Sequence, residues 1–166
     1  SAVILNFNGK EMLQRFVPGM RLVLNHDVEL IIADNNSTDG SQEYLKKYHQ
    51  DLELIEFHKN YGYAEGYNMA ISELNSKYVA LVNSDIEFNE NWITPIVEFM
   101  ESDPEIAICQ PAIRDIKDRE KFEYAGAAGG WLDALGYPFC EGRIFDTLEK
   151  DEGQYDEPHE VFWASG

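Results

Sequence analysis

The sequence has few basic residues and no long apolar run. Its 13 lysines and arginines face 31 acidic residues, so the formal net charge is −18. Nucleic-acid binding needs basic patches that neutralise phosphates, and the deficit argues against it and against docking of this segment on anionic lipid. No stretch approaches the roughly 20 apolar residues of a transmembrane helix, and no signal segment opens the chain. The negative charge also repels anionic ligands, and a bound divalent cation would relieve that repulsion locally.

Cysteine is scarce, and histidine shows no useful pattern. Cys109 and Cys140 lie far apart and form no Cys-x-x-Cys pair. We expect buried free thiols in a reducing compartment, with a disulfide between the two as the open alternative. The histidines show no metal-ligand spacing, and we assign them no chemistry. They are His26, His49, His58 and His159.

The length and composition suit one folded domain. The chain has 166 residues, of which 44% are hydrophobic and 27% charged, as in ordinary globular proteins. It begins within an apolar strand without a methionine and stops within an apolar pattern. We therefore expect a single domain cut from a longer protein.

Apolar runs alternate with segments of helical spacing through the first half. Strands are predicted at residues 3–5, 28–33, 52–57 and 78–82, and helices at 11–24, 42–49 and 64–74. This alternation predicts an α/β fold with a mostly parallel sheet and right-handed crossovers. Pro18 lies within the first predicted helix and is expected to kink or split it.

The second half has a weaker pattern. A helix is predicted at 92–100 and a further strand at 106–110. Residues 122–140 are rich in glycine and aromatics, and residues 141–160 are strongly acidic. We expect long loops here, either functional or disordered, with solvated charge as the simplest interpretation of the acidic run.

The most informative stretch is the run at 78–87. Five apolar or aromatic residues lead into Asn83, Ser84 and Asp85, which predicts a strand buried on both faces in the middle of a parallel sheet. Ligands of open α/β sheets bind beyond the carboxyl ends of the strands. Asn83 and Asp85 share one face, and their oxygens suit Mg²⁺ or Mn²⁺. An aspartate at a strand end also serves commonly as a turn or cap residue, and this alternative stays open for the motif taken alone.

Three further polar segments follow strands in the same way. The first strand ends in Asn-Phe-Asn at 6–8, and the second in a run of turn formers and acceptors at 34–41. Within that run, Asp39 is most simply a helix cap. Residues 60–68 follow the third strand and read Asn-Tyr-Gly-Tyr-Ala-Glu-Gly-Tyr-Asn, with glycines that permit tight turning or close backbone approach.

In this order and spacing, the four motifs resemble the nucleotide-sugar-binding half of GT-A glycosyltransferases of family 2. Residues 6–8 are similar to the family's Thr-Tyr-Asn tip, 34–40 to its Asp-x-x-Ser-x-Asp run, and 83–85 to a degenerate Asp-x-Asp. Residues 60–68 resemble the Asn-x-Gly-Phe-Ala-x-Gly-x-Asn loop of the rhamnosyl- and galactofuranosyl-transferase-like subgroup. The resemblance covers residues 2–115 well and the remainder loosely.

The resemblance implies a GT-A, Rossmann-like fold and a transfer reaction. Residues 1–115 would be the nucleotide-sugar-binding half, and 116–166 the incomplete start of an acceptor-side region. The implied reaction is inverting and metal-dependent, and it moves a sugar from a nucleoside-diphosphate sugar to a hydroxyl of a saccharide or lipid-linked saccharide. The general base is expected beyond Gly166, so we expect little or no activity from the fragment.

The resemblance also implies site residues and a cellular setting. The implied nucleotide-binding residues are Asn6, Phe7, Asp34, Asn35, Asn60, Gly62, Asn68 and Asn83. Asp85 would bind a Mn²⁺ or Mg²⁺ ion. The family-level expectation is cell-surface polysaccharide synthesis by a cytoplasmic protein, peripheral at the inner face of the membrane through parts outside this chain.

Other interpretations stay open. A non-catalytic module that holds a nucleotide sugar or glycan would share the same motifs. A sugar-phosphate nucleotidyltransferase would need a glycine-rich, basic loop after the first strand, where residues 6–10 offer one glycine and one lysine. A dinucleotide oxidoreductase would need Gly-x-Gly-x-x-Gly there, and this motif is absent from the sequence. Caps and turns alone would explain each motif singly, but not the ordered set.

Overall fold

The computed structural model of the protein describes residues 1–89, 91–124 and 128–164. The chain forms two compact units, Ser1–Asn91 and Trp92–Gly166. A compact unit can be one part of a larger domain, so the expectation of a single domain stays a prediction.

The first unit alternates strands and helices as predicted. Its elements are β1 (Ala2–Asn6), α1 (Lys10–Val23), β2 (Leu30–Asp34), α2 (Ser41–Tyr48), β3 (Glu53–Glu56), α3 (Tyr63–Ser72) and β4 (Ala80–Val82). The four strands form one parallel sheet in the order β3-β2-β1-β4. Each predicted strand and helix of this half is present within two residues or so of its expected bounds, and the α/β prediction is confirmed.

The two central strands carry the core. Val3, Ile4, Ile31 and Ile32 are fully buried, as expected where helices cover both faces of a parallel sheet. The register of β1 and β2 runs from Ala2 opposite Leu30 to Asn6 opposite Asp34. Both strands therefore end at the same level, and their polar last residues lie side by side.

The strand at residues 78–82 lies elsewhere than predicted. In the described chain β4 pairs with β1 alone, so it is at one side of the sheet rather than in its middle. Leu81 is 42% exposed and Ala80 is half-buried, which leaves only Val82 of this strand buried. The prediction of burial on both faces is wrong, because an apolar run does not reveal how many neighbours a strand has.

Helix α1 continues through Pro18. It buries Leu13, Phe16, Val17 and Met20, while Pro18 is on the exposed side. The carbonyl that loses its helical partner at a proline can bond to water on that side. The predicted split of the helix therefore does not occur.

The second unit begins with α4 (Ile93–Ser102) and has two small antiparallel pairs. Strand β5 (Gly130–Leu132) pairs with β6 (Pro138–Cys140), and β7 (Arg143–Ile144) pairs with β8 (Thr147–Leu148). The stretches expected to be loops thus contain short strands. The ring of buried Phe122 packs 5.4 Å from that of Tyr155, which joins the aromatic and acidic stretches.

The predicted strand at 106–110 is wrong. All five residues are described, and none is in a strand. Ile108 is 75% exposed, so the described part of the chain leaves its apolar side chain largely uncovered. The sequence pattern of a short apolar run is the same whether or not a neighbouring strand is available to pair with it.

Cys109 and Cys140 are free thiols, each half-buried, and burial raises the pKa of Cys109. The expectation of free thiols is confirmed, although their burial is only partial. In the described part of the chain, no helix combines the length and the apolar character that crossing a membrane would require.

Helix α1 offers a matched test of the packing, because it has one buried and one exposed leucine. Leu13 is fully buried and Leu22 is 85% exposed. We expect Leu13→Ala to lower the free energy of unfolding by about 2–5 kcal/mol, through lost burial and a cavity. Leu22→Ala should change it by less than about 0.5 kcal/mol. Urea denaturation measures both, and similar losses in the two variants would contradict the assignment of the buried face.

Candidate functional site

The polar ends of β1 and β2 are joined by a buried carboxylate. Asn6 donates from Nδ2 to Asp34 Oδ2 at 2.8 Å and to Ser37 Oγ at 3.0 Å. The other oxygen, Asp34 Oδ1, accepts from the Ser37 backbone N–H at 2.8 Å and from Gln42 Nε2 at 2.6 Å. Asp34 is fully buried, and both of its oxygens are used within the protein. This group therefore connects β1, β2 and the first turn of α2.

The loops that follow β1 and β2 are tied together as well. The backbone N–H of Asn8 donates to Ser37 Oγ at 2.9 Å, and the Thr38 N–H donates to Asn8 Oδ1 at 2.8 Å. Asn8 and Asn36 have positive φ angles of 52° and 64°. Asparagine tolerates this left-handed region better than most residues. The two loops are thus held to one another by side-chain bonds at their turns.

Asp39 accepts hydrogen bonds from the N-termini of two helices. Its Oδ2 accepts from the backbone N–H of Lys10, the first residue of α1, at 2.8 Å. Its Oδ1 accepts from the N–H of Ser41, the first residue of α2, at 3.0 Å. Burial alone would raise the pKa of Asp39, but hydrogen bonds from Ser41 and Lys10 lower it below its ordinary value. A helix-capping role is confirmed, and negative charge is favourable at both positions.

Asn35 determines the shape of the glycine loop. Its Nδ2 donates to the Gly62 carbonyl at 2.9 Å, and its Oδ1 accepts from the Tyr61 N–H at 2.8 Å. Within the loop, Asn60 Oδ1 accepts from the Gly62 N–H at 2.7 Å. Gly62 has φ +77° and ψ −169°, a conformation that essentially only glycine adopts. This turn leads directly into α3.

The second glycine of the loop permits close packing. A Cβ at Gly66 would lie 2.9 Å from Leu5 Cδ2 and 3.2 Å from Asn35 Nδ2. Helix α3 is further held to the sheet by buried Tyr67, whose hydroxyl donates to the Val82 carbonyl at 2.9 Å. Burial raises the pKa of Tyr67, so the phenol stays protonated and can donate. The first turn of α3 therefore lies against the carboxyl edge of the sheet.

These elements line an open cavity of about 310 Å³ at that edge. The volume is at the small end of the range for ligand sites. Five of the predicted nucleotide-binding residues line it: Asn6, Phe7, Asn35, Asn60 and Gly62. Four lining residues were not predicted as binding residues: Leu5, Gly9, Tyr63 and Ser84.

All four of these residues lie within or directly beside a predicted motif. Ser84 lies within the Asn-Ser-Asp motif, and Gly9 directly follows the Asn-Phe-Asn tip. Tyr63 starts α3, and its ring packs edge-on against Tyr67 at 5.0 Å. Phe7 is 51% and Tyr63 is 57% exposed, so two aromatic rings remain accessible at the cavity.

Four predicted residues do not line the cavity. Asp34 is buried and bonded within the protein, so its geometry supports a positioning role, and direct contact with a nucleotide stays a prediction. Asn68 is exposed on α3. Asn83 is half-buried and Asp85 is exposed just after β4. Their roles in binding also stay predictions.

Asp85 follows the carboxyl end of β4, at the same edge of the sheet as the cavity. Strand β4 runs parallel to β1, and Val82 is opposite Ile4. The chain therefore passes this edge at Ser84, which lines the cavity, immediately before Asp85. Among the described residues, no three acidic, histidine or cysteine side chains cluster as a metal site. One carboxylate suits a hard cation such as Mg²⁺ or Mn²⁺ when ligand phosphates and water complete its coordination.

Comparison with known proteins identifies the family. The family model described as Glycosyl transferase family 2 matches residues 1–165. N-acetylglucosaminyl-diphospho-decaprenol L-rhamnosyltransferase of Mycobacterium tuberculosis is 24% identical over 180 residues, which cover 99% of this chain and 58% of the relative. The chain thus spans less than two thirds of the length of that relative.

Solved glycosyltransferase structures share the fold. S. aureus TarS 1-349 in complex with UDP-GlcNAc matches with a TM-score of 0.54 and 15% identity, over 69% of this chain and 38% of TarS. The mannosyltransferase PcManGT from Pyrobaculum calidifontis, in complex with GDP-Man and Mn²⁺, matches with a TM-score of 0.61 and 16% identity. That match covers 70% of this chain and 36% of the mannosyltransferase. The predicted GT-A fold is confirmed. Because the family model matches nearly the whole chain, this protein belongs to glycosyl transferase family 2.

Proposed function

We propose that this chain binds a nucleoside-diphosphate sugar in the cavity at the carboxyl edge of its sheet, as the donor-binding part of a glycosyltransferase. The observation that carries the proposal is the convergence of four separate strand-end motifs on one cavity. Residues from the β1 tip, the run after β2, the glycine loop and the β4 tip line it together. Caps and turns account for polar residues at the strand ends, but not for the two exposed aromatic rings at the same cavity. The nucleotide-sugar complexes of TarS and PcManGT support the same class of ligand.

The cavity suits the nucleoside end of such a donor. Phe7 and Tyr63 offer exposed aromatic rings, against which a base stacks favourably. Asn60 and Gly62 add polar backbone and amide groups at the wall. Asn35 acts by holding the glycine loop in place, since both ends of its amide bond to that loop. We propose that Asn83 contacts the ribose or a phosphate and that Asn68 contacts the ligand from outside the cavity.

The diphosphate requires charge compensation, because the chain carries a net charge of −18. We propose that Asp85, with Asn83 two residues before it, holds a Mn²⁺ or Mg²⁺ ion together with the donor. When bound, such an ion stabilises the negative charge that develops on the departing diphosphate. Without a diphosphate, one exposed carboxylate would bind the ion only weakly. Metal and nucleotide are therefore expected to bind cooperatively.

The proposed reaction is an inverting displacement, in which an acceptor hydroxyl attacks the anomeric carbon in one step. We assign no general base among the residues of this chain. The acceptor is proposed to be a saccharide or a lipid-linked saccharide, which the printed name of the rhamnosyltransferase relative supports. A peripheral position at the inner face of the cytoplasmic membrane, in cell-surface polysaccharide synthesis, fits such an acceptor.

Calorimetry of the chain with UDP, GDP and dTDP, each with and without Mn²⁺, tests the metal role. We expect saturable binding of at least one nucleotide, with Mn²⁺ raising its affinity about tenfold or more, which is roughly 1.4 kcal/mol. Asp85→Asn should abolish the Mn²⁺ enhancement, because it removes the anionic ligand. Asp27→Asn is the matched control, since Asp27 is exposed and precedes β2 at the opposite edge of the sheet. An undiminished Mn²⁺ effect in Asp85→Asn rules out the proposed metal ligand.

Stacking of the base on the aromatic side chains at the cavity leads to a separate prediction. Phe7→Ala should weaken binding of the preferred nucleotide by about 1–3 kcal/mol, the usual contribution of stacking on an aromatic side chain. Tyr48→Ala is the control, because Tyr48 is an exposed aromatic residue that does not line the cavity. Titration of both variants under the same conditions gives the comparison. Equal affinities for Phe7→Ala and the unaltered chain would show that no base stacks on this ring.

A further inference from the structure

The hydroxyl of Tyr67 reaches from α3 to the last residue of β4. Tyr67 is 3% exposed, and its hydroxyl donates to the Val82 carbonyl at 2.9 Å. Burial, and after it the neighbouring Tyr63, raise the pKa of Tyr67, so the phenol keeps the proton that it donates. A buried hydroxyl is unfavourable without such a partner. Phenylalanine would fill the same space, so packing alone does not explain the hydroxyl.

The ring of Tyr67 is fixed by its surroundings. It belongs to the buried cluster that also contains Val3 and Ala70. The ring of Tyr63, which lines the cavity, packs edge-on against it, with ring centroids 5.0 Å apart and an angle of 74° between the planes. A ring packed in this way has little freedom to rotate, so its hydroxyl stays directed at the Val82 carbonyl.

Within the described residues, β4 is paired on one side only. Its neighbour is β1, and the pairing ends with Val82 opposite Ile4, although β1 continues for two more residues. Residues 83–85, which we call the Asn-Ser-Asp tip, therefore leave the sheet directly after the carbonyl that Tyr67 holds. The hydroxyl thus gives β4 a second attachment at the point where the tip begins.

We propose that Tyr67 is a positioning residue for this tip, and that its hydroxyl presents Asp85 to the cation of a bound nucleoside diphosphate. Tyr67 does not line the cavity, whereas Ser84 of the tip does. Mg²⁺ demands near-ideal coordination geometry, so a site with one protein carboxylate depends on the placement of that carboxylate. The inference rests on the proposed function, because it assigns a role to a residue outside the cavity in the proposed metal site.

The nucleoside end of the site depends on other groups. Asn35 bonds to the glycine loop at Tyr61 and Gly62, and Tyr67→Phe leaves these bonds and the ring beside Tyr63 in place. Loss of the hydroxyl should therefore lower the Mn²⁺-dependent part of the nucleotide affinity and spare the metal-free part. A general loss of folding stability would lower both parts.

The first experiment is calorimetry with the preferred nucleotide among UDP, GDP and dTDP, with and without Mn²⁺. We expect Tyr67→Phe to reduce the Mn²⁺ enhancement of affinity about threefold or more, the usual contribution of one hydrogen bond. The metal-free affinity should change less than about twofold, since one exposed edge of the site is altered and its walls are not. Tyr44→Phe in α2 is the matched control, because the Tyr44 hydroxyl also has a partner in the protein, His49 Nε2 at 3.0 Å. This variant should keep the full enhancement.

The outcomes separate the inference from the proposed function. An undiminished Mn²⁺ enhancement in Tyr67→Phe, or equal losses in both variants, overturns the inference while the proposed function stands. Equal loss of metal-free and Mn²⁺-dependent affinity in Tyr67→Phe overturns it as well. If the unaltered chain binds none of the nucleotides, the proposed function fails and the inference fails with it.

A double-mutant cycle tests whether Tyr67 acts through the tip. In the Asp85→Asn background, Tyr67→Phe should change the affinity measured with Mn²⁺ by less than about twofold, because the ligand that it positions is already removed. A further loss as large as that in the unaltered chain would show that the hydroxyl acts elsewhere, and would overturn the inference.

Two synthetic side chains separate the hydrogen bond from the packing. Replacing Tyr67 by 4-aminophenylalanine keeps a donor at the same place, whereas 4-methylphenylalanine fills the space without one. We expect the first to retain the Mn²⁺ enhancement and the second to reduce it as Tyr67→Phe does. Circular dichroism and urea midpoints verify folding, and equal enhancement in the two replacements overturns the inference.

Discussion

The buried carboxylate of Asp34 is the group on which the carboxyl edge of the sheet depends. A carboxylate removed from water is costly unless hydrogen bonds replace its hydration. Here Asn6, Ser37 and Gln42 supply those bonds from β1, from the loop after β2 and from α2. Each donor must be in place for the charge to be satisfied, so the positions of three chain segments are coupled. The cavity wall at Asn6 is a direct consequence of this arrangement.

Around Asp34, some side chains hold the edge of the sheet together, and others remain accessible there. Asp39 caps two helices and Asn35 holds the glycine loop, so both help to build the edge. Phe7 and Tyr63 present exposed rings, and Asp85 presents an exposed carboxylate. We therefore propose that these aromatic rings stack on the base and that a cation held by Asp85 binds the diphosphate.

The sequence predicts the first half of the fold well, because buried parallel strands and amphipathic helices have distinct apolar periods. Prediction from the sequence fails where the number of neighbouring strands decides whether a segment is paired or buried. Among the described residues, the strand ending at Val82 has one neighbouring strand rather than two, and residues 106–110 pair with none. Asp34 illustrates the same limit within the site: the motif identifies the residue, but not that Gln42 folds back to occupy its oxygen. Gly9 lines the cavity but lies one residue beyond the Asn-Phe-Asn motif, so the motif does not identify it.

The most direct test of a nucleotide site at this edge is NMR chemical-shift mapping of the ¹⁵N-labelled chain with the preferred nucleoside diphosphate and Mg²⁺. We expect the largest saturable shifts at the backbone amides of Phe7, Gly9, Gly62 and Ser84, which surround the cavity. Amides at the opposite edge of the sheet, such as Val28, should stay unchanged. Saturable shifts confined to residues away from the cavity would contradict a nucleotide site at this edge.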